Sequence, residues 1–244
     1  MSKPTCGHRS CMNAFTTYMA SKTLCGGGGY AVISDYHCKH SGCNVEVLAL
    51  GQDQYKGNLF EIFCGSADQK TGCLYLTLNR ELFEENSVEV YNLGVAAKII
   101  NPTAITSAYK LANHKDCVKI VSRICEFYAK DTAGKRQIID LNAVSTKKSS
   151  TVIMLLKYGN SISRKVINSD HGKLLGSDLP KEFKEMLTYD KFVIGSQKVI
   201  KGRYYAVPAS EGYSATKTVQ NYIEITELAY KVMLAYCDGN LITI

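Results

Sequence analysis

The sequence predicts an α+β protein: a small zinc-stabilised β-rich N-terminal module over residues 1–80, then a larger mixed α/β domain over 81–244 that closes with a helix. Three observations lead there. Two stretches repeat one pattern, Cys6-Gly-His8-Arg-Ser-Cys11 and Cys38-Lys-His40-Ser-Gly-Cys43, and each is followed by a Cys-Gly pair, at Cys25-Gly26 and Cys64-Gly65. The first eighty residues otherwise hold short β-like runs broken by turns. Beyond them, apolar residues recur at three- and four-residue intervals in two long stretches, the period of an amphipathic helix.

In chain order, the flexible turn Gly26–Gly29 leads into a short strand, Tyr30-Ala-Val-Ile33, and a second follows at Val45-Glu-Val-Leu-Ala-Leu50. Leu59-Phe-Glu-Ile-Phe-Cys64 and Leu74-Tyr-Leu-Thr-Leu78 read as two more strands. The charged stretch Asn79-Arg-Glu-Leu-Phe-Glu-Glu-Asn86 marks a change of composition and places the domain boundary. Val88-Glu-Val-Tyr-Asn-Leu93 then reads as a strand. Pro102-Thr103 opens a helix running to about residue 130, its stripe made by Leu111, Val118, Val121, Ile124, Cys125 and Tyr128. Strands are expected at Gln137–Leu141, Thr151–Tyr158, Lys191–Ile194 and Arg203–Val207, with a short helix near Leu179–Leu187. A final helix from about Thr216 to Tyr236 is stopped by Asp238-Gly239.

Three thiolates and a neutral imidazole on tight turns suit tetrahedral zinc, and ligands preset by short loops lose less chain entropy on closing the site. The pattern predicts one or two structural Zn2+ ions. The simplest assignment gives Cys6, His8, Cys11 and Cys25 to one site and Cys38, His40, Cys43 and Cys64 to the other. A second assignment joins Cys6, Cys11, Cys38 and Cys43 in one four-cysteine site, with His37 and Cys73 as spare ligands. Buried thiols or a disulfide net are the bland reading of the same residues. Seven of the ten cysteines lie at or before residue 73, and this crowding favours metal. Cys117, Cys125 and Cys237 read as small apolar fillers.

The chain carries a net charge of +7, and the excess is local: residues 109–165 hold twelve Lys or Arg against four Asp or Glu. Lys115, Lys119 and Arg123 on the helix, with Lys135, Arg136, Lys147 and Lys148 beyond it, form a candidate surface for nucleic acid or for an acidic protein partner. Sixteen tyrosines supply possible stacking surfaces, Tyr204, Tyr205 and Tyr213 standing close in sequence to Lys201 and Arg203. A solvated lysine-rich helix face accounts for the same charge without a partner.

Signatures for catalysis are lacking. The chain has no Walker loop, no G-x-G-x-x-G, no G-x-S-x-G and no H-E-x-x-H. Asp170, His171 and Lys173 in one polar loop are the only nominees for acid–base work, and a plain turn explains them equally well. No run of eighteen apolar residues is present, and Met1-Ser-Lys-Pro-Thr-Cys6 is not an export signal, so the expectation is no membrane and an intracellular setting in cytoplasm, nucleus or a virus particle. The reading that follows is a zinc-stabilised, non-enzymatic nucleic-acid-binding accessory factor of replication, transcription or packaging. The alternative is an assembly subunit of a large particle, such as a virus or phage capsid or tail, with zinc as its staple.

Overall fold

The computed structural model describes residues 25–37, 42–66, 74–99, 114–129, 134–140, 150–159, 189–209 and 221–244. Their strands form one mixed sheet of eleven: β1 (Cys25–His37), β2 (Asn44–Asp53), β3 (Leu59–Glu61), β4 (Phe63–Ser66), β5 (Gln137–Ile139), β6 (Ser150–Tyr158), β7 (Tyr189–Val193), β8 (Lys198–Ile200), β9 (Arg203–Ala206), β10 (Ile223–Ile225) and β11 (Leu241–Thr243). The order across the sheet is β11-β5-β6-β1-β2-β3-β10-β9-β8, with β4 also on β1 and β7 also on β2. Four helices accompany it among the described residues: α1 (Leu74–Glu85), α2 (Ser87–Ala96), α3 (His114–Tyr128) and α4 (Glu227–Cys237).

The sheet is covered on both faces. Along β1 and β6 the side chains alternate: Tyr30, Val32, Val152, Met154 and Leu156 enter a core with Leu78, Leu82, Phe83, Val90, Val121 and Ile124 of α1, α2 and α3. Ala31, Ile33, Ile153 and Leu155 enter a second core with Ala229, Val232 and Met233 of α4. Strands buried on both faces read as unbroken apolar runs, which is what Tyr30–Ile33 and Val47–Leu50 are.

Strands from both sides of the boundary expected at residue 80 share this sheet. β1 pairs in parallel with β6 from Cys25↔Ser150 to Ser34↔Tyr158, β2 pairs with β7, and β3 pairs with β10. The described strands of residues 25–66 thus supply the centre of the common sheet.

Two segments read as strands are helices. Leu74–Leu78 alternates like a strand, but its continuation sets Leu78 and Leu82 one turn apart, and both are fully buried in α1. Val88–Leu93 belongs to α2, where Val90 and Leu93 face the core at i, i+3. Asn86 lets the chain restart as a helix: its own N–H still reaches Leu82 O, and its Oδ1 accepts the Glu89 N–H at 3.0 Å. Leu59–Cys64 is split at Ile62 into β3 and β4. The last helix begins only at Glu227, capped by Thr226 Oγ1, which accepts from Ala229 N at 3.2 Å; part of the stretch before it is β10. Within the expected 103–130 helix the described part is α3. The helix expected near 179–187 lies outside the described residues.

Candidate functional site

Glycines decide how close α1 comes to the sheet. Gly28 of β1 and Gly65 of β4 are paired neighbours. A Cβ on Gly28 would collide with Leu78, and one on Gly65 would overlap the carboxylate of Glu81. Leu78, Glu81 and Glu85 follow one another at three- and four-residue spacing, so a single stripe of α1 rests on a glycine floor. The floor brings two carboxylates down against strand backbone: Glu81 over Gly65, and Glu85 beside it, its Oε2 accepting the Cys64 N–H at 2.8 Å.

More charge gathers at the same corner. Glu61, 3% exposed at the end of β3, accepts from Ile62 N and forms an ion pair with Lys56 at 3.2 Å. Arg80 is bound to both Glu81 and Glu84, the latter at 2.7 Å. Burial, reinforced by the charges of Glu81, Glu61 and Asp53, pushes the Glu85 carboxyl up to about 9. Burial also raises Glu61, with Lys56 pulling the other way. Lys56 and Arg80 offset part of this negative charge, and a divalent cation is a common means of supplying more. Among the described residues no three His, Cys, Asp or Glu side chains are grouped to hold a metal unaided. Mg2+ asks for less, since it takes one or two carboxylates and fills its shell with water and substrate phosphate.

A second polar cluster is fully internal. Tyr158 donates to Glu89 Oε1 at 2.7 Å and accepts from Lys191 Nζ at 3.0 Å, while Lys191 and Glu89 approach to 3.6 Å. Glu89 is 0% and Lys191 8% exposed. Burial and the Glu89 charge push the Tyr158 and Tyr189 hydroxyls well up. Tyr30 extends this polar layer across β1, α1 and α3: its OH donates to Asn79 Oδ1 at 3.0 Å, and Asn79 Nδ2 donates to Ser122 Oγ at 2.9 Å.

Of the residues expected to bind nucleic acid, Lys119 and Arg123 are exposed on α3, Lys115 falls in its first turn, and Lys135 and Arg136 lead into β5. Arg136 lies near enough to Cys125 of α3 for its charge to act on that thiol. Lys147 and Lys148 lie outside the described residues, as do Asp170 and His171. Tyr204 packs on Tyr230 of α4 at 4.9 Å and so serves the core.

Of the expected zinc ligands, Cys6, His8, Cys11, Cys38 and His40 lie outside the described residues, while Cys25 opens β1. Cys43 precedes β2, whose Asn44 pairs with His37, whereas Cys64 pairs with Gly29. Gly29 and His37 are eight residues apart on one strand, roughly 26 Å. Ligand sulfurs on one zinc are only about 4 Å apart, so a site shared by Cys43 and Cys64 asks for a different placement of one of them.

Sequence reasoning missed Glu81 and Glu85. The signal was present in Arg80-Glu81-Leu82-Phe83-Glu84-Glu85, where an i, i+4 glutamate pair follows a paired glycine floor, but the stretch was read as a boundary. No protein-family model matches the chain, and no curated protein or solved structure matches it.

Proposed function

We propose that this protein is a divalent-cation-dependent hydrolase acting on a phosphate ester or anhydride of a nucleotide or nucleic acid. The observation that carries the reading is the convergence of Glu81 and Glu85 on the glycine-floored backbone of β4. In this reading Glu81 and Glu85 would hold a divalent cation, which when bound would supply Lewis-acid polarisation of a phosphate, and a neighbouring carboxylate would take the proton of the attacking water. Glu61 and Glu84 are the nearest candidates for that base, each already tied to a cationic side chain, Lys56 or Arg80. The basic residues of α3 and of the segment before β5 support a polyanionic substrate.

The experiment is cation binding with turnover. Mn2+ bound per chain is counted by electron paramagnetic resonance, and phosphate release from nucleoside triphosphates and short RNA is followed by phosphorus NMR with Mg2+ or Mn2+. The expected result is one or more bound Mn2+ and cation-dependent release, with Glu85→Gln slowing release about a hundredfold or more. A chain that binds no Mn2+ and releases no phosphate overturns the reading.

The doubled cysteine and histidine pattern supports a separate, structural zinc. Its ligands are drawn from Cys6, His8, Cys11, Cys25, Cys38, His40, Cys43 and Cys64. Zinc content of the purified chain, by elemental mass spectrometry before and after Cys38→Ser, tests this; zinc-free protein that is folded rejects it.

A further inference from the structure

We infer that the outer face of α3 is a docking surface for single-stranded nucleic acid, in which one unpaired base stacks on Phe127 while the flanking phosphates lie on Lys119 and Arg123. The inference rests on the nucleic-acid part of the function proposed above and is independent of the acidic corner. Phe127 is 64% exposed, an unusual position for a large aromatic ring. It is held in place by an edge contact with the Tyr128 ring, centroids 4.8 Å apart at 82°, so its open side is offered with little rotamer freedom left to lose.

Phe127 lines an open groove of about 440 Å³ with Ile99, Arg123 and Glu126. Lys119, Arg123 and Phe127 stand at i, i+4 and i+8, a stripe of two cations and a ring along one helix face. Lys98, exposed and in a left-handed turn at φ 59, stands beside Ile99 at the end of α2. An aromatic platform flanked by cations is the arrangement that binds unpaired bases without reading their sequence. Glu126 sets the polarity: its carboxylate repels phosphate and accepts from base amino groups, so the backbone runs on the Lys119 side of Phe127. A duplex, whose bases are already stacked, offers nothing for the ring to take.

The test is fluorescence anisotropy with an end-labelled 12-nucleotide RNA, the same sequence as DNA, and the matching duplex, all in buffer without added divalent cation. The expected result is binding to both single strands, at least tenfold weaker for the duplex. Phe127→Ala should weaken single-strand binding about tenfold, with Phe127→Tyr restoring it. Arg123→Gln should lower the slope of log affinity against log salt by about 0.7. Because binding is read without added divalent cation, failure at the acidic corner and failure here are told apart. Equal affinity of wild type and Phe127→Ala overturns the inference. So does a concentration-dependent dimer in ultracentrifugation that Phe127→Ala dissolves, because a second copy would then be the occupant.

Discussion

The two faces of the sheet are built from different materials. On the α4 face Ile33, Leu48, Leu50, Ile153 and Phe192 meet Ala229, Val232 and Met233, and the polar contacts of Lys157 with Glu46 and Tyr236 lie at the rim. On the other face, α1, α2 and α3 bury Thr77, Asn79, Glu81, Asn86 and Glu89 together with Lys191 of the sheet. Burying such groups costs free energy unless each is partnered, and an apolar side chain of the same volume serves packing as well or better. Polar burial concentrated on one face therefore marks where the fold has taken on a task besides cohesion. The acidic corner lies on that face, at the edge where α1 meets β4.

The largest expected effect separates the faces by the kind of damage they suffer. Lys191→Met leaves Glu89 buried beside Tyr158 without its cation, and the expected loss is about 3–5 kcal/mol by urea unfolding. Lys191→Met with Glu89→Leu should recover most of it. On the α4 face the corresponding ion pair, Lys157 with Glu46, is well exposed, and its loss should cost about 1 kcal/mol or less. If the single and double variants are equally unstable, the pair is not a coupled unit and the contrast between the faces loses its sharpest support.

The next effect depends on pH and belongs to the acidic corner. The Glu85 carboxyl titrates near 4.5 when unfolded and near 9 when folded, so between these values the folded chain binds more protons. Stability is then full below about pH 4.5 and falls as pH rises toward 9, by up to about 1.4 kcal/mol per unit. The groups acting on Glu85 are the carboxylates of Glu81, Glu61 and Asp53 and the Cys64 N–H; Lys56 and Arg80 pair with Glu61 and Glu81. Melting curves without added divalent cation from pH 5 to 9 should show this decline. Glu85→Gln, which keeps an acceptor for Cys64 N, should flatten it, and an unchanged slope in that variant would assign the titration elsewhere.

Gly65→Ala attacks the floor instead of the charge. A methyl group there displaces the Glu81 carboxylate, and because α1 is anchored by Leu78 over Gly28, the helix is not free to lift. Overpacking of this kind costs about 1–3 kcal/mol. Mn2+ affinity should fall together with stability, and intact affinity would place the cation away from Glu81.

These effects show which parts of the molecule were legible in sequence. Tyr30–Ile33, Val47–Leu50 and Thr151–Tyr158 announce themselves as strands because burial on both faces leaves no polar alternation. Their partners stay hidden, since an apolar run carries no address, and β1 lies parallel to a strand more than a hundred residues away. The helix α1 was lost because five residues, Leu74–Leu78, fit a strand period before Leu82 and Phe83 decide for the helical one. Glu81 and Glu85 went with it: charged residues after an apolar run resemble a linker until Gly28 and Gly65 are seen beneath them. The basic face was legible, as helical periodicity separates Lys119 and Arg123 from Val121 and Ile124, but Phe127 was not, because sequence alone does not tell an exposed ring from a buried one.

The smallest effect returns to the apolar face. Ile153 is fully buried on β6 between Ala31-side neighbours and α4, and Ile153→Val removes one methylene. The expected cost is about 0.5–1.5 kcal/mol, independent of pH and of divalent cations. Val152, the next residue along β6, points into the other core, where it lies beside the glycine floor under Leu78. Val152→Ala should cost a similar or somewhat larger amount and, by letting α1 settle, should also shift the Mn2+ affinity. Two adjacent residues on one strand then give a direct measure of the difference between the faces: volume alone matters at 153, while at 152 volume is coupled to the site. Equal cation affinity in both variants would mean that the packing under α1 does not set the position of Glu81, and that the glycine floor acts locally at Gly65.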